Sequence, residues 1–519
     1  ASTSPGSRVA PDPSTTTAPS GGSTAAAGPT RSIRPPAATT VWPATAGPPS
    51  PSSTATPTTA RAGGAGAGES GTSGSYTGTI LAMNQQPGVP PLVLHGPPDG
   101  DAPLRLGRRV TLYVCGITPY DAAHIGHAFT YVTFDTLARF LRGRGHEVAY
   151  CQNVTDVDDD VLRRAARDGQ DYLELGRRET ASYLEDMDAL NVARPSFFPK
   201  ATEEIPSMVE LAGQLVEGGN AYVVDGTVFF DVASYPGFGE LSGLGPAEQR
   251  DLLAERGGDP DDPRKRHPLD FVVWQRSQPG EPWWDSPWGR GRPGWHLECS
   301  AMAREYLGTT IDLHGGGADL LYPHHESERA QSESANSAPL ARRWLHTGMV
   351  RYQGEKMSKS LGNLVFPRDL VRDHEPAAVR LALLAHHWRI PWEWDPSELK
   401  EAAERLSSWR QACGQPRAPS PGVGYPPVRG PQEPGAGAAA RVGGPQGPGV
   451  AGAARVRGPQ GPGAGAGARL PEAVEAALAD DLDTPAALAA GDELAERGDG
   501  PGVAATAAVL GVDLGQANG

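Results

Sequence analysis

Lysine is almost missing from this chain: it supplies five of the 46 basic side chains. Arginine has been used wherever any positive charge suffices, so the few lysines mark places that want a compact, mobile ammonium. Two of them, Lys356 and Lys359, fall three apart in GEKMSKSLGN (354–363). Cysteine is scarce too. Cys115, Cys151, Cys299 and Cys413 are too few and too scattered for a disulfide framework, and in a reducing compartment they read as core residues or metal ligands. No 18-residue apolar run exists, and no basic start is followed by a short apolar core. The expectation is a soluble, cytoplasmic protein with no membrane partner. A formal net charge of −15 argues against broad attraction to nucleic acid or anionic lipid, leaving room for a local basic patch.

What is abundant is glycine and proline, 66 and 51 residues, so much of the 519-residue chain is not packed core. Residues 1–75 are nearly all Ala, Ser, Thr, Pro and Gly, with Trp42 the one aromatic, too little apolar surface to offset the entropy of ordering. A disordered extension is expected there. A second such tract covers 414–469 and contains three tandem 14-residue units, VRGPQEPGAGAAAR, VGGPQGPGVAGAAR and VRGPQGPGAGAGAR. With no face to bury and no strict Gly-X-Y period, it reads as a flexible expansion inside a loop. Between the tracts the pattern alternates. RVTLYVC (109–115) and HEVAYCQNV (146–154) are buried parallel-strand runs, and Tyr131, Phe134, Leu137 and Leu141 recur at helical spacing between them. The spacing predicts a doubly wound α/β domain of Rossmann type with halves at 76–195 and 269–365, an insertion at 196–268, a helical domain at 366–413 and further helices at 470–519. Later strands are expected at GTTIDLHGGG and HTGMVRY. A helix over SELKEAAERLSSWRQAC is expected to bury Leu399, Ala403, Leu406, Trp409 and Cys413.

CGITPYDAAHIGH (115–127) joins a strand end to a turn and a helix start, with His124 and His127 beside it. Backbone N–H groups at a helix N-terminus, at the carboxyl end of a first strand, suit a phosphate; the plain alternative is two ordinary surface histidines. HIGH at 124–127 followed by KMSKS at 356–360 resembles the paired signature of class I aminoacyl-tRNA synthetases, which activate a carboxylate with ATP. Either motif alone is weak, whereas both in this order on a βαβ unit are specific. The resemblance implies a synthetase-type fold in which His124 and His127 contact the ATP phosphates while Lys356 and Lys359 neutralise charge as the carboxylate attacks the α-phosphorus. Within that class the chain is similar to the cysteine-activating enzymes, whose motifs imply zinc held by Cys115, Cys299 and His324, with Glu328 as fourth ligand. Zinc selects a thiolate over a hydroxyl, a discrimination that pocket size alone does not supply. The resemblance further implies an amino-acid and adenylate pocket of Cys115, Gly116, Ile117, Thr118, Thr130, Asn153, Val154, Thr155, Trp295, Gly317, Ala318, Asp319 and Val350. Read by itself, Trp295 is a core aromatic or a pocket wall, and the glycines at 315–317 permit close approach of a backbone.

Two branches of this family share these motifs, the cysteinyl-tRNA synthetases and the cysteine ligases of mycothiol biosynthesis. CGITPYD, ERGGDP (255–260), AVRLALLAHHWR, ADDLDTP and LGVDL resemble the ligases, over roughly 105–412 and 470–514. That implies ATP with Mg²⁺, L-cysteine and glucosaminyl-inositol as substrates, and no tRNA; a monomer is expected, although the sequence does not reveal oligomeric state. Independently of resemblance, Leu470–Gly519 carries ten acidic residues and one basic, Arg497, which opposes a tRNA backbone. Glu328 points the other way, because it matches the synthetases' fourth zinc ligand. A catalytically dead paralogue that only binds zinc, nucleotide or RNA is the remaining alternative. The group that takes the acceptor amine's proton is left open between His124 and a carboxylate such as Asp319.

Overall fold

The computed structural model describes residues 89–98, 100–357, 361–415 and 469–515. The expected disordered extension, nearly all of the repeat tract and Lys359 lie outside the described residues. Strand β1 (Arg109–Ile117), helix α1 (Ile125–Gly143) and strand β2 (Glu147–Val154) form the predicted βαβ unit, with Tyr113 opposite Cys151 in a parallel ladder. His124 caps α1, and Tyr131, Phe134, Leu137 and Leu141 are all buried on its inner face. Helix α2 (Asp159–Asp168) starts at Asp158, whose side chain accepts from the Asp160 N–H, and stops at Gly169 in the left-handed region. Helix α3 (Tyr172–Ala189) follows.

The insertion begins with α4 (Ile205–Glu217) and the hairpin β3 (Ala221–Val224)–β4 (Thr227–Phe230), whose Asp225–Gly226 turn has both residues at positive φ. After α5 (Pro246–Glu255) come β5 (Phe271–Arg276) and β6 (Gly291–Pro293), giving an antiparallel sheet of order β3-β4-β5-β6. The boundary expected at 268 therefore falls short. DFVVWQ has the apolar density of a parallel core strand, but β5 pairs antiparallel with β4, and Phe271 stacks on Phe230 at 4.9 Å.

The chain then returns through α6 (Trp295–Leu307), β7 (Ile311–Gly317), α7 (Glu326–Asn336) and β8 (Ala341–Thr347). The main sheet is parallel throughout, in the order β2-β1-β7-β8. The α/β class with an insertion and C-terminal helices is thus as expected. The run HTGMVRY is split: β8 ends at Thr347 and β9 (Val350–Tyr352) starts a separate sheet, because Gly348 donates to the Trp388 carbonyl at 2.7 Å and leaves the ladder. That sheet, β10-β9-β11, adds β10 (Glu355–Lys356) and, after α8 (Pro367–Asp373) and α9 (Pro376–Leu384), β11 (Trp392–Glu393).

Helices α10 (Glu398–Ala412), α11 (Glu472–Ala479), α12 (Thr484–Glu496) and α13 (Gly500–Val509) complete the chain. Helix α10 buries Leu399, Ala402, Leu406 and Trp409, so Ala402 takes the place expected of Ala403, which is exposed. Trp409 donates to Asp492 Oδ1 at 2.8 Å. Arg380 of α9 is fully buried; it donates to Asp135 Oδ2 on α1 (2.6 Å), to the Leu190 carbonyl (2.9 Å) and to the Leu510 carbonyl (2.7 Å). Arg380→Ala leaves the Leu190 and Leu510 carbonyls without this donor and takes one of two arginines from the buried Asp135, which keeps Arg139 at 2.8 Å, and is expected to destabilise the protein by about 1–3 kcal/mol in urea unfolding. No described helix is long and apolar enough to cross a membrane.

Candidate active site

Side chains alternate along β1. Leu112 and Val114 pack in the core beneath α1, whereas Tyr113 and Cys115 face the opposite core, which contains Leu297 and Cys299 of α6. Period two thus delivers Cys115 to Cys299, Sγ to Sγ 3.8 Å, across 184 residues. Helix α7 brings Glu328, and the irregular turn before it brings His324. Glu328 Oε1 lies 3.3 Å from Cys115 Sγ and 2.9 Å from His324 Nε2. All four ligand atoms fall within 4.8 Å of one another, and all four residues are buried. Two thiols, an imidazole and a carboxylate around one point form a donor set that suits zinc. Around it stands a second ring. His314 Nε2 sits 3.0 Å from Glu328 Oε2, His325 Nε2 3.3 Å from Cys115 Sγ, and His296 Nδ1 2.9 Å from His324 Nδ1. Cys115, His314, His325 and Glu328 make an alternative group of four. Trp295 is half-buried and stacks on His324 at 4.2 Å, so it walls the cluster.

The other expected residues collect at the carboxyl ends of the parallel strands. Gly116 donates to Asn153 Oδ1 at 2.7 Å, and a Cβ there would lie 1.7 Å from the Asn153 carbonyl oxygen, so only glycine lets β1 lie this close to β2. Asn153 Nδ2 donates to Thr155 Oγ1 (3.0 Å), and the Thr155 N–H donates to the Ile117 carbonyl (2.9 Å). Thr118 follows β1 directly, and Val154 closes β2. Gly317, Ala318 and Asp319 leave β7, Thr130 Oγ1 meets Thr347 Oγ1 at 2.7 Å, and Val350 opens β9. Gly315 is required by packing: a Cβ would enter the Phe134 ring.

Gly126 donates to His124 Nδ1 (3.1 Å), and the His124 N–H donates to His127 Nδ1 (3.2 Å). With Nδ1 accepting on each ring, a neutral imidazole keeps its proton at Nε2, leaving both histidines as donors there. Their centroids are 4.1 Å apart. The Ile125 N–H donates to the Val365 carbonyl at 2.8 Å, which ties the segment after the lysine motif to the first turn of α1. Lys356 is exposed, and its carbonyl accepts from Asn363 Nδ2 at 3.3 Å.

Residues 103–404 match the family described as tRNA synthetases class I (C) catalytic domain. Among curated proteins, an L-cysteine:1D-myo-inositol 2-amino-2-deoxy-alpha-D-glucopyranoside ligase of Kribbella flavida is 46% identical over 80% of this chain and 90% of its own. The chain belongs to this ligase family. Proteins of the same name from Parafrankia sp. (52% identical, 61% of this chain, 72% of the relative) and Nocardiopsis dassonvillei (45%, 75% and 85%) agree.

Within this ligase fold the cluster's protons are unevenly shared. Burial opposes ionisation of Glu328, yet His324 and His314 hold its carboxyl well below the usual range. Burial would likewise lower His324, but Glu328 and Cys299 hold it up at about 10. Burial pushes the Cys115 thiol well up; it would raise Cys299 too, but the S–H that Cys299 accepts from Cys115, with His324 alongside, brings it down to about 6. These shifts favour protons on His324 and Cys115 near neutral pH, and a metal ion held by the four residues would displace both. Zinc affinity is expected to rise with pH, with about two protons released per ion. Calorimetric titration in buffers of different ionisation heat measures the number; heats independent of buffer would contradict it.

The sequence reading did not single out His296, His314 or His325. A signal for one of them was present. His314 lies opposite Tyr113 in the β1–β7 register, so pairing the two strand ends puts its imidazole beside Cys115.

Proposed function

We propose that this chain joins L-cysteine to the amine of 1D-myo-inositol 2-amino-2-deoxy-alpha-D-glucopyranoside through a cysteinyl-adenylate, giving the amide precursor of mycothiol, AMP and pyrophosphate. The observation that carries the reading is the Cys115–Cys299–His324–Glu328 cluster, on the same strand that leads into His124 and His127, in a chain covering 90% of a ligase of that name. Zinc held by these four residues would supply a soft Lewis acid that prefers the substrate thiolate to a serine hydroxyl. Trp295 walls the amino-acid pocket, and Thr155 and Asn153 shape its floor. His124 and His127 donate to the phosphates of Mg-ATP, while Lys356 and Lys359 neutralise the charge that builds as the cysteine carboxylate attacks the α-phosphorus and pyrophosphate leaves. The acceptor amine then attacks the adenylate carbonyl, and AMP departs.

In this reading the protein works as a monomer in the cytoplasm, without tRNA. The net negative charge of Leu470–Gly519 supports the last point. A second reading, cysteinyl-tRNA synthetase, is favoured by Glu328, which sits between His314 and His324 as a ligand would. Cysteine-dependent exchange of labelled pyrophosphate into ATP, followed by addition of tRNA or glucosaminyl-inositol, separates them. Amide with the amino sugar supports the ligase, charged tRNA supports the synthetase, and no exchange overturns both.

A further inference from the structure

The turn that leaves β2 continues as TDVDDD, and it carries a group of charges that the reading above does not use. Asp158 caps α2, with its Oδ1 accepting from the Asp160 N–H at 2.8 Å. Its neighbour Asp159 accepts from Nη2 of Arg292, the second residue of β6. Arg292 is 3% exposed, and its Nε has no hydrogen-bond partner; the nearest further carboxylate, Glu281, is 3.9 Å away. A buried guanidinium donor without a hydrogen bond carries a cost that a ligand oxygen would relieve. The place adjoins the cysteine pocket. Glu298, next to Cys299, is hydrogen-bonded to Thr155 and is 1% exposed, and Asp158 is the strongest charge acting on it. Glu298 therefore neighbours both Cys299 of the cluster and Asp158.

We propose that Asp158, Asp159 and Arg292 form the binding site of the acceptor, an amine-bearing polyol, and that Asp158 receives the proton of its ammonium. The inference rests on the ligase reading and adds to it the acceptor's place and the base. Carboxylates suit an ammonium, and Arg292 Nε–H suits a hydroxyl oxygen. In the transfer step Asp158 removes one proton from R–NH₃⁺. The freed lone pair forms the C–N bond at the adenylate carbonyl, the bond from that carbon to the phosphate oxygen breaks with its electron pair leaving on AMP, and the second amine proton passes to water. Burial raises the Asp158 carboxyl to about 6, against the Asp160 N–H; Asp160 and Asp159 push the same way and Arg292 opposes. Tyr120 from the β1–α1 loop, Arg163 from α2 and Glu298 from α6 also face it. A base titrating there is ionised at neutral pH yet basic enough to take a proton.

The test uses the zinc-loaded full chain and follows the half-reactions separately. Asp158→Asn should slow single-turnover amide formation about 100-fold more than it slows pyrophosphate exchange, the range expected for a lost general base. Asp159→Asn should raise KM for glucosaminyl-inositol roughly tenfold with a smaller change in kcat. Hydroxylamine, uncharged at neutral pH, needs no base, so Asp158→Asn should still form cysteinyl hydroxamate at close to the wild-type rate. The wild-type transfer rate should fall as pH is lowered through about 6, where Asp158 becomes protonated, and Asp158→Asn should lose that acid limb. Equal transfer by wild type and Asp158→Asn, or parallel loss of exchange, transfer and hydroxamate, overturns the proposal while leaving the ligase reading intact. A wild-type protein that exchanges pyrophosphate but makes no amide sinks the ligase reading itself, and the acceptor site with it.

Discussion

Cys299→Ser protein is expected to purify without zinc and to activate cysteine at least about 100-fold more slowly than wild type, while its residual preference for cysteine over serine drops to the level that shape alone supplies, roughly 10²-fold or less. The reasoning is geometric. Cys299 Sγ lies 3.8 Å from Cys115 Sγ in a buried cluster, so a hydroxyl there would take away one of the two thiolates offered to an ion without opening the site to water. A serine oxygen is nearly isosteric but far less acidic, and the remaining Glu328–His324 pair already satisfies itself at 2.9 Å. The cluster should then persist as an ion pair with no metal, and the fold should stay intact. Metal content by atomic emission, with pyrophosphate exchange driven by cysteine and by serine, reads each part. Full zinc occupancy with unchanged selectivity would contradict the assignment.

Lys356→Ala and Lys359→Ala are expected to lower pyrophosphate exchange by about 10²–10³-fold each with zinc content unchanged, because charge building at the phosphates would lose one neutralising cation. The residues on either side support this. Met357 is buried after Lys356, Asn363 Nδ2 fastens the Tyr352 and Lys356 carbonyls at 3.2 and 3.3 Å, and the Val365 carbonyl is held by the α1 amide of Ile125. The described residues on either side of the motif, Lys356 and Asn363–Val365, are therefore tied to each other and to the first turn of α1. Lys400→Ala is the control; this lysine is exposed on α10 and sits 3.9 Å from Glu404, and its loss should leave exchange unchanged. Arginine at 356 or 359 should rescue only in part, since a planar guanidinium does not replace a compact ammonium.

The βαβ unit was legible because burial on both sheet faces writes itself as continuous apolar runs, and α1 because its inner face recurs every three to four residues. Strand β8 was harder to read. ARRWLHT carries two arginines after its first residue, one of which, Arg343, is buried with its guanidinium on the carbonyls of Leu94, Gly96, Gly100 and Ala102. A charge satisfied by backbone more than 240 residues earlier in the chain has no local signature. The same holds for β5, whose apolar density says buried without saying in which sheet. At the site, single residues such as Cys115 and Cys299 meant little until the alternation along β1 set them on one side. The histidines around them went unread because each is defined by cross-strand neighbours, such as Tyr113 for His314. Lys359, central to the opening inference from lysine scarcity, lies outside the described residues, so mutation carries that part of the account.

The central claim is that the Cys115–Cys299–His324–Glu328 cluster holds zinc and presents it to the sulfur of the substrate. Zinc X-ray absorption on the loaded protein, with and without L-cysteine, tests this most directly. The account predicts two sulfur neighbours near about 2.3 Å in the free enzyme and a third when cysteine is added, but none gained with serine. A sulfur count that does not change with cysteine would contradict it.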